Sequence, residues 1–274
     1  MLKVEIRPDW ILRDPRGTPT PLPALLALLA AVNETGSISK AALQCRMSYR
    51  HAWGLLEQFS EQFGAELVNK VRGQGTVLTP LAEKLMWADR RINARLSPML
   101  DSLASELQQE LVRVLAGHAE SVRLTASHGF AVAALVTQLR EGGGTVDINY
   151  RSSTEAVAAL ARGECDLAGF HLPVGRFEGA AAAKYRPWLD AGRHAFLHLA
   201  YREQGLFVAS GNPKGVTGLA DLARPDLRFV NRQQGSGTRV LLELLLAEAG
   251  IEPAAITGHD SAEFTHAAVA AYVA

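Results

Sequence analysis

The chain has 274 residues, 48% hydrophobic and 20% charged, enough apolar side chain for one large core or two modest ones, which excludes wholesale disorder. Lysine plus arginine equals aspartate plus glutamate at 28 each, so bulk positive charge is excluded as a means of holding nucleic acid or membrane. Only local basic patches remain.

From the N-terminus, the apolar run Pro21 to Val32 follows Lys3, Arg7, Arg13 and Arg16, a superficial likeness to a signal peptide. Glu5, Asp9 and Asp14 interrupt that leader, and the run is far shorter than the roughly 20 residues that span a bilayer. It reads as a packed first helix over 23–33, and no membrane partner is expected. Gly36 closes it, and Ser37 caps a second helix through Ile38, Ala41, Ala42 and Leu43. Ser48 caps a third, Tyr49 to Phe63, with Ala52, Leu55, Leu56 and Phe59 on one face and Gly64 at its end. Residues 66–72 and 76–79 then flank Gly73-Gln74-Gly75 as a hairpin. This order is that of a winged helix-turn-helix, expected over residues 1–79.

A recognition helix presents its first turns to base edges, and those turns carry Ser48, Tyr49, Arg50 and His51. Arg50 has the fork to read guanine or clamp phosphate. Lys40, Arg46, Lys70 and Arg72 are expected on phosphates, which set register rather than sequence. Trp53 follows in the same turns and is expected in the core rather than stacked on bases.

Three stretches, Gly36-Ser37-Ile38-Ser39-Lys40-Ala41-Ala42, Met47-Ser48-Tyr49-Arg50-His51-Ala52-Trp53 and Leu78-Thr79-Pro80-Leu81-Ala82, carry a family likeness. They resemble the DNA-binding domain of ModE-type molybdate-responsive regulators, relatives of the LysR-type regulators. The resemblance covers the first third of the chain. It implies a winged helix-turn-helix dimer on a two-fold-related double-stranded operator, the linker helix pairing the subunits.

Residues 80–117 read as that linker, a long helix with Pro98 inside it. Leu96, Met99 or Leu100, Leu103, Leu107, Leu111 and Leu115 recur at three- and four-residue steps, a stripe that needs an apolar partner. Packing on its own chain is one solution. A place between two domains favours a homodimer, with higher assembly left open.

After Gly117-His118 strand-like runs alternate with Ala/Leu-rich helices, the mark of a parallel α/β sheet, so the fold class is α/β overall. Val122–Ala126, Val146–Tyr150 and residues 166–171 read as strands, which places Ser127, Ser153, Thr154 and His171 beyond carboxyl ends, where open sheets hold ligands. Residues 196–201, 206–209 and 228–231 read as strands of a second lobe. Next, Arg232-Gln233-Gln234-Gly235-Ser236-Gly237-Thr238-Arg239 opens a helix, a start that favours an anion through free N–H groups, hydroxyls and charge. Its glycines equally suit a plain tight turn. It lacks the Gly-Lys-Ser/Thr of a Walker loop, and Val240 stands where a dinucleotide fingerprint needs glycine.

The run Phe229 to Arg239, preceded by Leu219-Ala220-Asp221-Leu222, resembles periplasmic-binding-protein-like domains, more narrowly those attached to molybdenum- and tungsten-linked regulators. The resemblance implies two α/β lobes over residues 118–274 closing on a small ligand, often an oxyanion. Carried over, Ser127, Ser153, Thr154, Ser236, Gly237 and Thr238 are the expected contacts, joined by His171 and Arg239. The stretch 265–274 reads like the start of a further helix-Gly-Asp-strand unit, so the domain is expected to be truncated or naturally short.

A transcription regulator with a small anionic effector, molybdate or tungstate, is the expected function, controlling genes of molybdenum or tungsten uptake or molybdoenzymes. A different metabolite or molybdenum cofactor is the alternative effector. A solute-binding protein would need export. An enzyme built on Ser127 and His171 lacks the Gly-x-Ser-x-Gly elbow, and the eight histidines show no metal spacing, so neither catalytic residues nor a metal or cofactor are expected. Cys45 and Cys165 match neither a zinc nor a disulfide pattern, and a reducing cytoplasm is the expected compartment.

Overall fold

The computed structural model describes residues 3–14, 17–73, 75–116 and 121–273. Two compact units emerge, Arg7–Asn93 and Met1–Ile6 with Ala94–Ala274. The boundary expected at Gly117-His118 and the Gln74 of the hairpin tip lie outside the described residues.

The first unit opens with a short antiparallel hairpin, β1 (Ile11–Arg13) on β2 (Pro19–Pro21). Helices α1 (Pro23–Thr35), α2 (Ile38–Gln44) and α3 (Tyr49–Phe63) follow, then β3 (Val68–Val71) paired antiparallel with β4 (Gly75–Leu78). The caps explain the breaks. Gly36 takes φ +64° after α1, Ser37 accepts the Lys40 N–H, Ser48 accepts the His51 N–H at 3.1 Å, and Gly64 takes φ +64° after α3. Leu25, Leu28, Leu29, Val32, Ala41, Ala52, Phe59 and Leu67 form one core. The hairpin is tied to it at its tip-proximal end, where Thr76 N donates to Gly36 O at 2.8 Å. A Cβ on Gly75 would sit 2.4 Å from that same oxygen, so this approach requires glycine.

Helix α4 runs from Pro80 to Ala116, with its first turns in the first unit and Ala94 onward in the second. Pro98 has no N–H to give to Ala94, four residues earlier. Thr265 replaces it: its Oγ1 donates to Ala94 O at 3.0 Å, and Arg95 beside it pairs with the buried Glu263 carboxylate at 3.1 Å. Thr265→Val is therefore expected to cost about 1–3 kcal/mol, the penalty of an unpaired buried carbonyl. In a double-mutant cycle by urea denaturation, Pro98→Ala, which restores the helical donor, should shrink that loss; strict additivity would contradict it.

The second unit holds a parallel sheet of β5 (Val122–Ala126), β6 (Val146–Tyr150) and β7 (Leu167–Gly169) in the order β6-β5-β7, with α5 (Phe130–Glu141) and α6 (Ser153–Ala161) between them in the chain. The edge strand β6 is covered by α4: Ser105 Oγ accepts from Ile148 N and Ser102 Oγ from Tyr150 N, both at 3.0 Å. After α7 (Glu178–Ala183) come β8 (Asn231–Arg232), α8 (Gly237–Glu248), β9 (Ala262–Glu263), parallel to β8, and α9 (His266–Val273). Leu222, Leu242, Leu246 and Ile256 form the core of this part.

The strands expected over 196–201 and 206–209 do not form, and that over 228–231 contracts to Asn231–Arg232. Both missing strands lack a hydrogen-bonded neighbour among the described residues, and without a ladder an apolar run has no reason to hold pleated geometry. Phe196, Leu197, Leu199, Tyr201 and Phe207 are accordingly exposed. Among the described residues no helix is long and apolar enough to cross a membrane.

Candidate functional site

Two surfaces gather polar residues. In the first unit every residue expected at nucleic acid is exposed: Lys40 on α2, Arg46 in the turn after it, Ser48, Tyr49, Arg50 and His51 at the start of α3, and Lys70 and Arg72 on the β3–β4 hairpin. Ser48 spends its oxygen as the cap of α3. Among the described residues no carboxylate pairs with Arg46, Arg50, Lys70 or Arg72, so these cations are unneutralised. Trp53 departs from its expected place in the core. It is 41% exposed on α3, with Lys70 Nζ 5.7 Å from its ring centroid, because the buried face of α3 runs through Ala52, Leu56 and Phe59 one position away. Arg46, between α2 and α3, takes φ +53°, a strained value for a side chain with a Cβ.

In the second unit the starts of α6 and α8 abut. Thr154 N donates to Gly235 O at 3.2 Å, so two positive helix ends meet. Glycine is what lets them meet: a Cβ on Gly235 would lie 2.3 Å from Thr154 Oγ1, and one on Gly237 would lie 2.4 Å from His171 Cβ. Ser127 Oγ and Ser153 Oγ both lie against His171 Nδ1, at 3.2 and 3.4 Å, and Tyr185 donates to the His171 carbonyl. Ser152 forms a capping box with Glu155, whose carboxyl those hydrogen bonds hold below the usual range.

Charge at the cleft is lopsided. Arg232, only 5% exposed, donates to the carbonyls of Glu263 and Phe264 and has no carboxylate partner among the described residues. Burial, then the nearby Arg202, lowers its pKa to about 10. Arg202 donates to Thr238 Oγ1 at 3.2 Å and to His266 Nε2 at 3.3 Å, both neutral acceptors. A cavity of about 700 Å³ opens beside Arg232, Thr238 and His266, walled by Phe207, Phe229 and Leu242.

Residues 136–274, just over half of the chain, match the PBP superfamily domain. The chain belongs to that superfamily. Residues 23–83 match the bacterial regulatory helix-turn-helix protein of the lysR family, placing the PBP domain behind a LysR-type helix-turn-helix. Relatives include an uncharacterized protein, YvgK, of Bacillus subtilis (33% identical over 45% of this chain and 40% of its own length). Another is the molybdenum-pterin-binding protein MopB of Rhodobacter capsulatus (36%, covering 39% and 40%). A third is the molybdenum transport protein ModE of Azotobacter vinelandii (26%, covering 55% and 58%). The chain thus spans less than two thirds of each of these relatives.

Within the second unit the structure gathers Ser127, Ser153 and Gly237 around His171 and sets Thr154 against Gly235, while Ser236 caps α8 by accepting the Arg239 N–H and Thr238 lines the cavity. Arg239 is not free there: it is buried and committed to Glu243 and to His259. Arg232 and Arg202 hold the cationic positions instead, and Arg202 and His266 carried no local signal, since each reaches the cleft only through the tertiary fold.

His171 and His266 are both held to a pKa of about 4, by burial first and then by Arg202 and Arg232; His171 and His128 add to the effect on His266. Burial lowers His128 also, against the opposing charge of Asp101. An unfolded histidine titrates near 6.5, so the unfolded chain binds more protons between about pH 6.5 and 4. The stabilisation from neutral imidazoles is present above pH 6.5 and is lost as pH falls towards 4. In thermal melts without ligand, the acid loss should be smaller in the His171→Gln/His266→Gln variant than in the unaltered chain; equal losses would contradict this.

Proposed function

We propose that the chain is a DNA-binding transcription regulator whose PBP domain senses a small oxyanion, molybdate or tungstate, and controls genes of molybdenum or tungsten uptake or molybdoenzymes. One observation carries the reading: the starts of α6 and α8 meet, and beside them Arg232 and Arg202, with no carboxylate partner among the described residues, flank Thr238 and His266 at the cavity. The likeness to a molybdenum-pterin-binding protein, MopB, and a molybdenum transport protein, ModE, supports molybdenum chemistry. The helix-turn-helix with its unneutralised cations supports an operator duplex as partner, and cytoplasmic action follows from that partner. The α4 stripe of Met99, Leu103, Leu107, Leu111 and Leu115, exposed along its length, supports pairing of two copies.

The Ser127–His171 contact supports binding over catalysis, because no carboxylate among the described residues orients the His171 ring as a general base needs. The ~700 Å³ apolar-walled cavity favours a second reading, a larger anion with an apolar body, such as the pterin form of molybdenum.

Thermal unfolding of the full chain against molybdate, tungstate, sulfate, phosphate and buffer tests the reading. A ligand at 100 times its dissociation constant adds about 2.7 kcal/mol to the folded state. Selective stabilisation by molybdate or tungstate is the expected result. Stabilisation by none of the four anions would overturn the small-oxyanion reading, and a shift with molybdopterin alone would establish the second.

A further inference from the structure

We propose that Arg202 and Arg232 make the cleft selective for dianions, so that it sorts tetrahedral oxyanions by charge rather than by size. This rests on the oxyanion reading above and adds to it the charge of the ligand. Hydroxyls and main-chain N–H groups alone bind an oxyanion by geometry and take a monoanion of the right size as well as a dianion. The guanidiniums change that balance.

Among the described residues no carboxylate neutralises either guanidinium. Arg232 gives its hydrogen bonds to two carbonyls, and Arg202 gives its own to a threonine hydroxyl and an imidazole nitrogen. An arginine can only donate, so His266 Nε2 is an acceptor and the ring is neutral. Glu263, next to Arg232's partner carbonyl, is spent on Arg95, and Glu155 at the start of α6 is spent on Ser152. Arg232 is a buried cation with no counter-charge among the described residues, which is destabilising, and the nearby charge of Arg202 adds to that cost. A dianion offers a counter-charge to each guanidinium, and a monoanion only one between them.

Tungstate and perrhenate supply the test, being tetrahedral oxyanions of nearly equal size that carry two charges and one. Binding to the full chain is measured by calorimetry at neutral pH and fixed ionic strength, with sulfate and perchlorate as a smaller matched pair. Tungstate is expected to bind on the order of 100-fold more tightly than perrhenate. Arg202→Gln should narrow the ratio about tenfold, whereas Thr238→Ala should weaken both anions alike. Arg232→Gln should narrow it further, and Arg232→Lys, which keeps the charge, guards against a variant that merely fails to fold. Equal binding of tungstate and perrhenate, or a ratio unmoved in both the Arg202→Gln and the Arg232→Gln variants, overturns charge selection and leaves the oxyanion reading standing. Binding of neither pair overturns both.

Discussion

Gly235→Ala is expected to lower the stability of the chain by about 2–5 kcal/mol and to remove anion binding with it. Two independent costs add. At φ +75° an alanine Cβ meets its own backbone, worth about 1–2 kcal/mol. The same Cβ would lie 2.3 Å from Thr154 Oγ1 and 2.9 Å from Ser152 Oγ, and separating packed elements to admit it costs about 1–3 kcal/mol. Ser152 cannot swing away cheaply, since it holds the capping box of α6. Gly179→Ala is the control: it lies in α7 of the same unit with nothing within 4 Å of a new Cβ, so it should be neutral or slightly stabilising. Denaturant midpoints of the two variants decide the matter. If Gly235→Ala matched Gly179→Ala, the glycine-rich turn would owe nothing to the contact between helix starts.

That contact also marks the limit of what the sequence discloses. Helices α1 to α3 were legible because their ends are chemical: Ser37 and Ser48 cap, while Gly36 and Gly64 release the chain in left-handed geometry. Ser127, Ser153 and Thr154 were legible because a parallel sheet sends strand ends to one edge. The β1–β2 hairpin carries no such mark: Pro19 and Pro21 argue by pattern against a strand, though an edge strand tolerates them. The runs over 196–201 and 206–209 carry strand-like residues but no information about a partner, and pairing makes a strand. Arg202, Thr238 and His266 lie far apart in the chain, and Arg239, the arginine local pattern favours, is drawn off by Glu243 and His259.

At the first unit the largest functional effect is expected from Arg50→Ala, a loss of about 1–3 kcal/mol, or roughly 5- to 150-fold, in binding to a duplex selected from a random pool by the unaltered chain. Arg50 stands in the exposed first turn of α3 with no carboxylate to divert it, and its planar fork makes paired hydrogen bonds that alanine cannot replace. Lys70 and Arg72 on the hairpin are expected to act differently. Their removal should weaken binding to all duplexes alike and flatten the dependence of log affinity on log salt by about 2, since each phosphate contact releases about one counterion. Lys70 also sits over Trp53, so Lys70→Ala uncovers an indole on the same surface. Trp53 fluorescence on DNA titration then reports whether the hairpin moves with α3. The two kinds of loss separate only if affinity is measured across salt concentrations: Arg50→Ala should alter preference among duplexes, and the hairpin variants only the slope. If Arg50→Ala left both preference and affinity intact at fixed salt, α3 would not be the helix that reads the duplex, and the role of these unpaired cations would have to be sought outside nucleic acid.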